Sequence, residues 1–360
     1  MPNLWGRQYS RAELMARVGD VSQVGGVREY RLDGGAGDGL AVVDVNTGSG
    51  LRFTVIPGRA LDITGAWFNG IPLGFRSAAG EMHGAYYEPQ GWGWVRSTVL
   101  GLLVTGGLDN VGDPAVDPDR LYTDLGLHGR LSNLAASNVH ADGEWSGDEF
   151  EMWVQGRVRQ AALFGESLEL KRRISTSLGS TSIRIHDEVT NLGSEPEPAM
   201  ILFHFNPGYP LVDDGSRLHV RSRSRRPYDD HSASLEPGWD TYGPPTPGWQ
   251  NTVWIHDVEP DADGLVHAAL VNRSFGDGIG LGFAYPKAQL PFLNQWKFLG
   301  VGNYVTGIEP ANCTVLGRAT NRADGTLQIL EPGETTEFDI ELSVLAGSDA
   351  IGAFLATIGE

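Results

Sequence analysis

The chain has 360 residues, 41% of them hydrophobic and among them 13 Phe, 10 Trp and 10 Tyr, enough for a large core, with no uninterrupted apolar run of membrane-span length. Its 27 basic and 45 acidic side chains give a net charge of -18, which repels a nucleic-acid backbone and an anionic membrane surface, so neither is an expected partner. A single cysteine, Cys313, excludes an internal disulfide and, with no apolar leader after Met1, sets the expectation of a reducing, cytoplasmic compartment.

Ser10 and Glu13 stand at capping-box spacing ahead of Leu14, Met15 and Val18, which predicts a short helix over residues 9–18 within an N-terminal extension, 1–24. From Gly25 onward the period falls to two. Short alternating or apolar runs bounded by Gly, Pro, Asn and Asp predict strands at 40–45, 51–56, 150–158, 167–174, 182–189, 217–224, 265–272, 279–285, 326–330 and 338–345. The 49 Gly and 20 Pro fit many tight turns. Ser348 is expected to cap a C-terminal helix over 348–360, and with no linker or fixed-period repeat the whole of 1–360 reads as one all-β domain. Two stretches read as long irregular loops. Residues 74–116 carry Tyr86, Tyr87, Trp92, Trp94 and the run VTGGLDNVG; residues 225–254 carry Tyr228, Trp239, Tyr242 and Trp249. Such rings either stack on sugar rings or cover sheet edges.

Four places could carry chemistry. The run PAMILFHFNPGYPLV, 198–212, delivers His204 to a strand end between Phe203 and Phe205, where an imidazole either exchanges protons behind low-dielectric walls or is a core histidine bonded to a carbonyl. In YTDLGLHGRLSN, 122–133, His128 and Arg130 flank Gly129 and could offer donors to an oxygen-rich ligand. In NQWKFLGVGNYVTGIEPAN, 294–312, Glu309 follows an apolar approach that would raise its pKa toward the range of a general base. Arg59 closes an apolar strand and, taken alone, reads as an edge residue. The nine histidines show no metal-ligand spacing, so no metal is expected, although His83 with Glu81 and Glu88 could form a loop site. The glycines of 276–282 lack dinucleotide spacing and read as a turn. Arg217, Arg221, Arg223, Arg225 and Arg226 form a basic cluster, either a solvated strand face or a reader of an acidic or phosphorylated sugar.

In order and spacing, Arg59, the His128-Gly129 pair, the His204 strand end with Asn206, and Glu309 before Pro310 resemble the aldose 1-epimerase (galactose mutarotase) superfamily, most closely its domain-of-unknown-function 4432 branch. The resemblance implies a β-supersandwich with short terminal helices, a small-molecule sugar as partner, no cofactor, and a monomer or homodimer. It implies that His204 is the acid that protonates the ring oxygen and Glu309 the base that takes the anomeric proton. Arg59, His128, Arg130 and Asn206 become substrate-binding groups. The superfamily's further aspartate has no counterpart here; Asp240, Gln295 or Lys297 are the stand-ins. A non-catalytic carbohydrate-binding protein, and a lyase or isomerase of keto sugars or uronates, are the rival readings.

Overall fold

The computed structural model describes residues 1–117 and 124–359. Two antiparallel sheets dominate. In the first, of eleven strands, the central order is Thr252–Val258, Phe292–Gly300, Asn303–Ala311, Met200–Phe205, Leu103–Leu108, Asp62–Phe68 and Leu51–Ile56. The second has eight, including Glu149–Ala161, Ser167–Ser177, Ser182–Asn191, Thr335–Ala346, Ile279–Pro286 and Leu265–Asn272. In Ser167–Ser177 every second residue is buried, the period-two signature of a strand with one face on a core. The facing side chains of both sheets, Phe53, Ile63, Phe203 and Phe205 from the first and Val154, Leu170, Ile185, Phe283 and Phe338 from the second, form one apolar cluster.

Met200–Phe205 is buried at every position, because both of its faces are covered. Ile201, Phe203 and Phe205 point into the sandwich core, whereas Met200 and Leu202 join a separate cluster on the other face. Alternation therefore puts His204 on the outer face of the large sheet, beneath the loops that cover it. Phe203 and Phe205 are consequently not the walls of His204; they pack on the opposite side.

Several expectations need correction. The N-terminal helix spans only Arg11–Met15, although its Ser10/Glu13 capping box is present. The C-terminal helix, Ser348–Ile358, is capped by Gly347 rather than Ser348, whose hydroxyl donates to the Asp277 carbonyl; Glu360 lies outside the described residues. Residues 217–224 are two strands, Arg217–Val220 in the smaller sheet and Ser222–Pro227 in the larger. Of 326–330 only Ile329–Leu330 is strand. The glycine run read as loop contains the central strand Leu103–Leu108, paired along its length with Met200–Phe205. Its glycines misled because Gly106 makes room for the His128 turn and Gly107 for the Met200 carbonyl. No helix among the described residues is long and apolar enough to cross a membrane.

Candidate active site

Three strands and one turn build the site. Glu309 lies on Asn303–Ala311, which pairs with the His204 strand, and the two side chains meet on the outer face with Nε2 of His204 3.2 Å from Oε1 of Glu309. Between them lies Gly307. A Cβ there would fall 2.0 Å from Glu309 Oε1 and 2.9 Å from His204 Cε1, so only glycine lets the carboxyl fold back toward the imidazole. His128 arrives from a turn held by backbone bonds, its N–H donating to the Gly112 carbonyl and its carbonyl accepting from Gly107 N–H. Both His128 (φ 53) and Gly129 (φ 69) are left-handed there. A Cβ on Gly129 would meet Asp109 Oδ1 at 2.5 Å, and room for the turn comes from Gly106 on the adjacent strand, whose Cβ would press on the His128 side chain at 3.4 Å.

The His128 ring stands edge-on to His204 at 5.4 Å between centroids, and Trp94 lies 5.0 Å from His128 and 6.5 Å from His204. Trp296 closes the other side, 5.7 Å from His204. Both indoles are pinned, Trp94 donating to Ser132 Oγ and Trp296 to Asn251 Oδ1. These groups line a cavity of about 660 Å³, which also receives Asp113, Tyr228, Asp229 and Ser232. Trp92 stands at its rim, 59% exposed.

Burial sets the protonation. Desolvation pushes the Glu309 carboxyl well above its ordinary range, and burial, then the neighbouring His128, pushes His204 well below its own. Burial thus favours the uncharged form of each, a protonated carboxyl beside a neutral imidazole. Glu309 Oε1 and His204 Nδ1 are buried without a hydrogen-bond partner within the protein, so each keeps unspent hydrogen-bonding capacity. His128 is held neutral, its pKa lowered by burial to about 4. Its Nδ1 accepts from Gly112 N–H, so the proton sits on Nε2, which is left as a donor.

Of the residues expected at the site, His204, Glu309 and His128 are brought together. The others are not. Arg59 lies behind the wall, its guanidinium donating to the backbone carbonyls of Ser132, Met82 and Ser97. Arg130 falls on the far side of the His128 turn, in a separate depression, near Glu166 at 3.6 Å. Asn206 braces the strand end by donating to the carbonyls of His204 and Leu100. Gln295 and Lys297 are on the opposite face from Trp296: Gln295 bonds His256 and the Trp239 carbonyl, and the Lys297 ammonium donates to the carbonyls of Gly238, Trp239 and Thr241. Asp240 is paired with Arg217 at 2.7 Å. None of these three stands in for the missing aspartate; Asp113, held by the Tyr228 hydroxyl, is a carboxylate that does line the cavity. Trp92 and Trp94 share the cavity with Tyr228, but Trp239 packs at a tilt against His256 and Trp249 lines a different pocket. Arg217, Arg221, Arg223 and Arg225 pair with Asp240, Glu259, Asp257 and Glu236, outside the cavity. Tyr122, which opens the His128 motif, lies outside the described residues.

A family model described as a domain of unknown function (DUF4432) matches residues 37–344. Among solved structures, a Klebsiella pneumoniae protein provisionally named an aldose 1-epimerase superposes with a TM-score of 0.87 at 26% identity, over 92% of this chain and 86% of that one. A galactose mutarotase-like protein from Clostridium acetobutylicum gives 0.62 at 14% identity, over 88% and 98%. Galactose 1-epimerase from Lactobacillus acidophilus gives 0.58 at 11%, over 89% and 99%, an identity at which the likeness shows the fold alone. No curated protein matches.

Proposed function

The chain belongs to the DUF4432 family, and from that premise we propose that it interconverts the anomers of a reducing sugar by acid–base catalysis, with Glu309 as base and His204 as acid. The observation that carries this reading is the buried Glu309–His204 pair, 3.2 Å apart on the wall of a cavity, with hydrogen-bonding capacity left over on both members. The names of the structural neighbours support a sugar as the substrate class.

The resting pair holds one proton. Its transfer from the Glu309 carboxyl to His204 yields a carboxylate and an imidazolium side by side. The carboxylate takes the proton of the anomeric hydroxyl as the imidazolium gives one to the ring oxygen; the bond between that oxygen and the anomeric carbon breaks, leaving the open-chain aldehyde. Rotation about the adjacent carbon–carbon bond and reversal of both transfers close the ring with the other face and return the pair to its starting state. His128 Nε2–H donates to a sugar oxygen and, being neutral, adds no charge to a dry site. The Trp94 and Trp296 rings exclude water and offer flat faces to the sugar's C–H surface.

A pH profile tests this assignment. Below the ordinary imidazole range the pair gains a second proton and has no base; above the carboxyl's raised pKa it loses its only proton and has no acid. The profile of kcat/KM for anomer interconversion, measured by polarimetry, is therefore expected to be a bell with its plateau across neutrality and its acid limb below about pH 6.5. A single sigmoid centred on pH 6.5, as for a solvated histidine acting alone, contradicts the shared-proton pair.

A further inference from the structure

We propose that the substrate is an uncharged reducing sugar carrying an apolar substituent, with its reducing end at His128, His204 and Glu309 and its substituent against the apolar wall of the same cavity; this rests on the anomer-interconverting reading of the site. Three observations lead there.

The first is size. About 660 Å³ corresponds to roughly twenty waters at about 30 Å³ each, and a hexose, with its twelve non-hydrogen atoms, fills only part of it. Cavities of this size, mostly apolar with a few placed polar groups, suit ligands larger than one sugar ring.

The second is where the polar groups stand. His128, His204 and Glu309 form one cluster, and Asp113 continues it, since it follows Gly112, whose N–H donates to His128. Elsewhere Phe75, Val95, Phe298, Val305 and Val315 give the wall an apolar stretch, interrupted by single polar side chains such as Ser77, Ser232, Asn251 and Asn303. Val95 is 52% exposed and Trp92 at the rim 59% exposed. Apolar side chains left open to water around a concave site are covered when an apolar ligand group arrives. A bare sugar, with hydroxyls around its ring, would leave several of them facing unpaired wall.

The third is charge. The ionisable groups lining the cavity are Glu309, Asp113, Asp229 and the Tyr228 phenol beside two histidines, and no Lys or Arg lines it among the described residues. The arginines of 217–225 are paired elsewhere, and the Lys297 ammonium is turned to three carbonyls. A sugar phosphate or a uronate would bring its charge beside carboxylates with no cation to meet it.

The test compares glucose and galactose with their benzyl ethers at O2, O3, O4 and O6, their 6-phosphates and their uronic acids, following anomer interconversion by NMR exchange. At least one ether is expected to exceed its parent sugar at least tenfold in kcat/KM, and the phosphates and uronates to fall at least tenfold below the parent. In Val95→Asn, an exposed position whose change leaves the core untouched, the ratio of best ether to parent is expected to shrink at least threefold. Parent sugars turned over as well as every ether, or a phosphate or uronate preferred, overturns the proposal. If no sugar is interconverted, the anomer-interconverting reading fails, and tryptophan-fluorescence titration with the same compounds decides the ligand class separately: tenfold tighter binding of an ether supports it, and equal binding overturns it.

Discussion

Glu309→Gln is expected to slow anomer interconversion by about two to four powers of ten, the usual worth of one acid–base group, while leaving fold and sugar binding in place. Glu309 is 2% exposed, and burial favours its uncharged carboxyl, so glutamine keeps the shape and the lack of charge of that form. No cavity opens and no charge is stranded. What is lost is the ability to become a carboxylate, and with it the proton that arms His204. His204→Asn removes the other half of the relay and is expected to cost a similar factor. Because both groups act on one transition state, the double variant should lose far less than the product of the two single losses. Polarimetric rates beside fluorescence titration separate catalysis from binding. A Glu309→Gln rate within a few-fold of wild type would show that the carboxyl is not the base.

Arg172→Met is expected to destabilise the protein by about 3–5 kcal/mol, the usual cost of leaving buried charge without its partner. Arg172 comes from the smaller sheet with no exposed side-chain surface and reaches across the core: it donates to Asp187 of its own sheet at 2.6 Å and to Asp62 of the larger sheet at 3.0 Å. The same guanidinium donates to the Ala60 carbonyl and the Thr105 hydroxyl. Burial already pushes Asp62 up to about 6 against the pull of Arg172, so removing the cation leaves two carboxyls in a dry core. Replacing all three together, Arg172→Met with Asp62→Leu and Asp187→Leu, should recover part of the loss, because the new side chains need no partner while the Thr105 N–H and hydroxyl lose Asp62 as theirs. Urea midpoints and thermal scans of the single and triple variants measure both effects. A single variant within about 1 kcal/mol of wild type would mean the carboxyls find another partner or solvent, and the bolt between sheets would be dispensable.

The fold was legible where one face of a strand is solvated, because alternation then shows in the residue pattern. Residues 51–56 coincide with an observed strand, and 167–174 and 182–189 fall short only at their ends; 265–272 also coincides, but it was read from its apolar run, since both its faces are covered over 268–272. It was illegible where glycine thins a strand, whereas the doubly covered Met200–Phe205 still showed as an apolar run. Leu103–Leu108 hides behind Gly106 and Gly107, which have no side chains to alternate. Asn303–Ala311 was seen only as the approach to Glu309, since its Gly307 interrupts the pattern for the sake of the carboxyl. At the site, His204, Glu309 and His128 were visible as residue types suited to proton transfer in broken strands and turns. Gln295 and Lys297 were misplaced although parity could have corrected them: on one strand they share a face with each other, and Trp296 and Phe298 share the opposite one. Arg59 is beyond such reasoning, because nothing local in the sequence foretells that three backbone carbonyls will consume its guanidinium.

The most direct measurement places wild-type protein in D₂O with reducing sugars, benzyl ethers among them, and follows exchange between the α and β anomeric signals by two-dimensional NMR. The shared-proton pair at Glu309 and His204 predicts exchange that grows in proportion to enzyme, with no deuterium entering carbon, because only oxygen-bound protons move. Deuterium appearing at C2 would mean an enediol and therefore a keto-sugar isomerase. A sugar that binds yet exchanges no faster than in buffer would mean a binding protein, and either result contradicts the assignment.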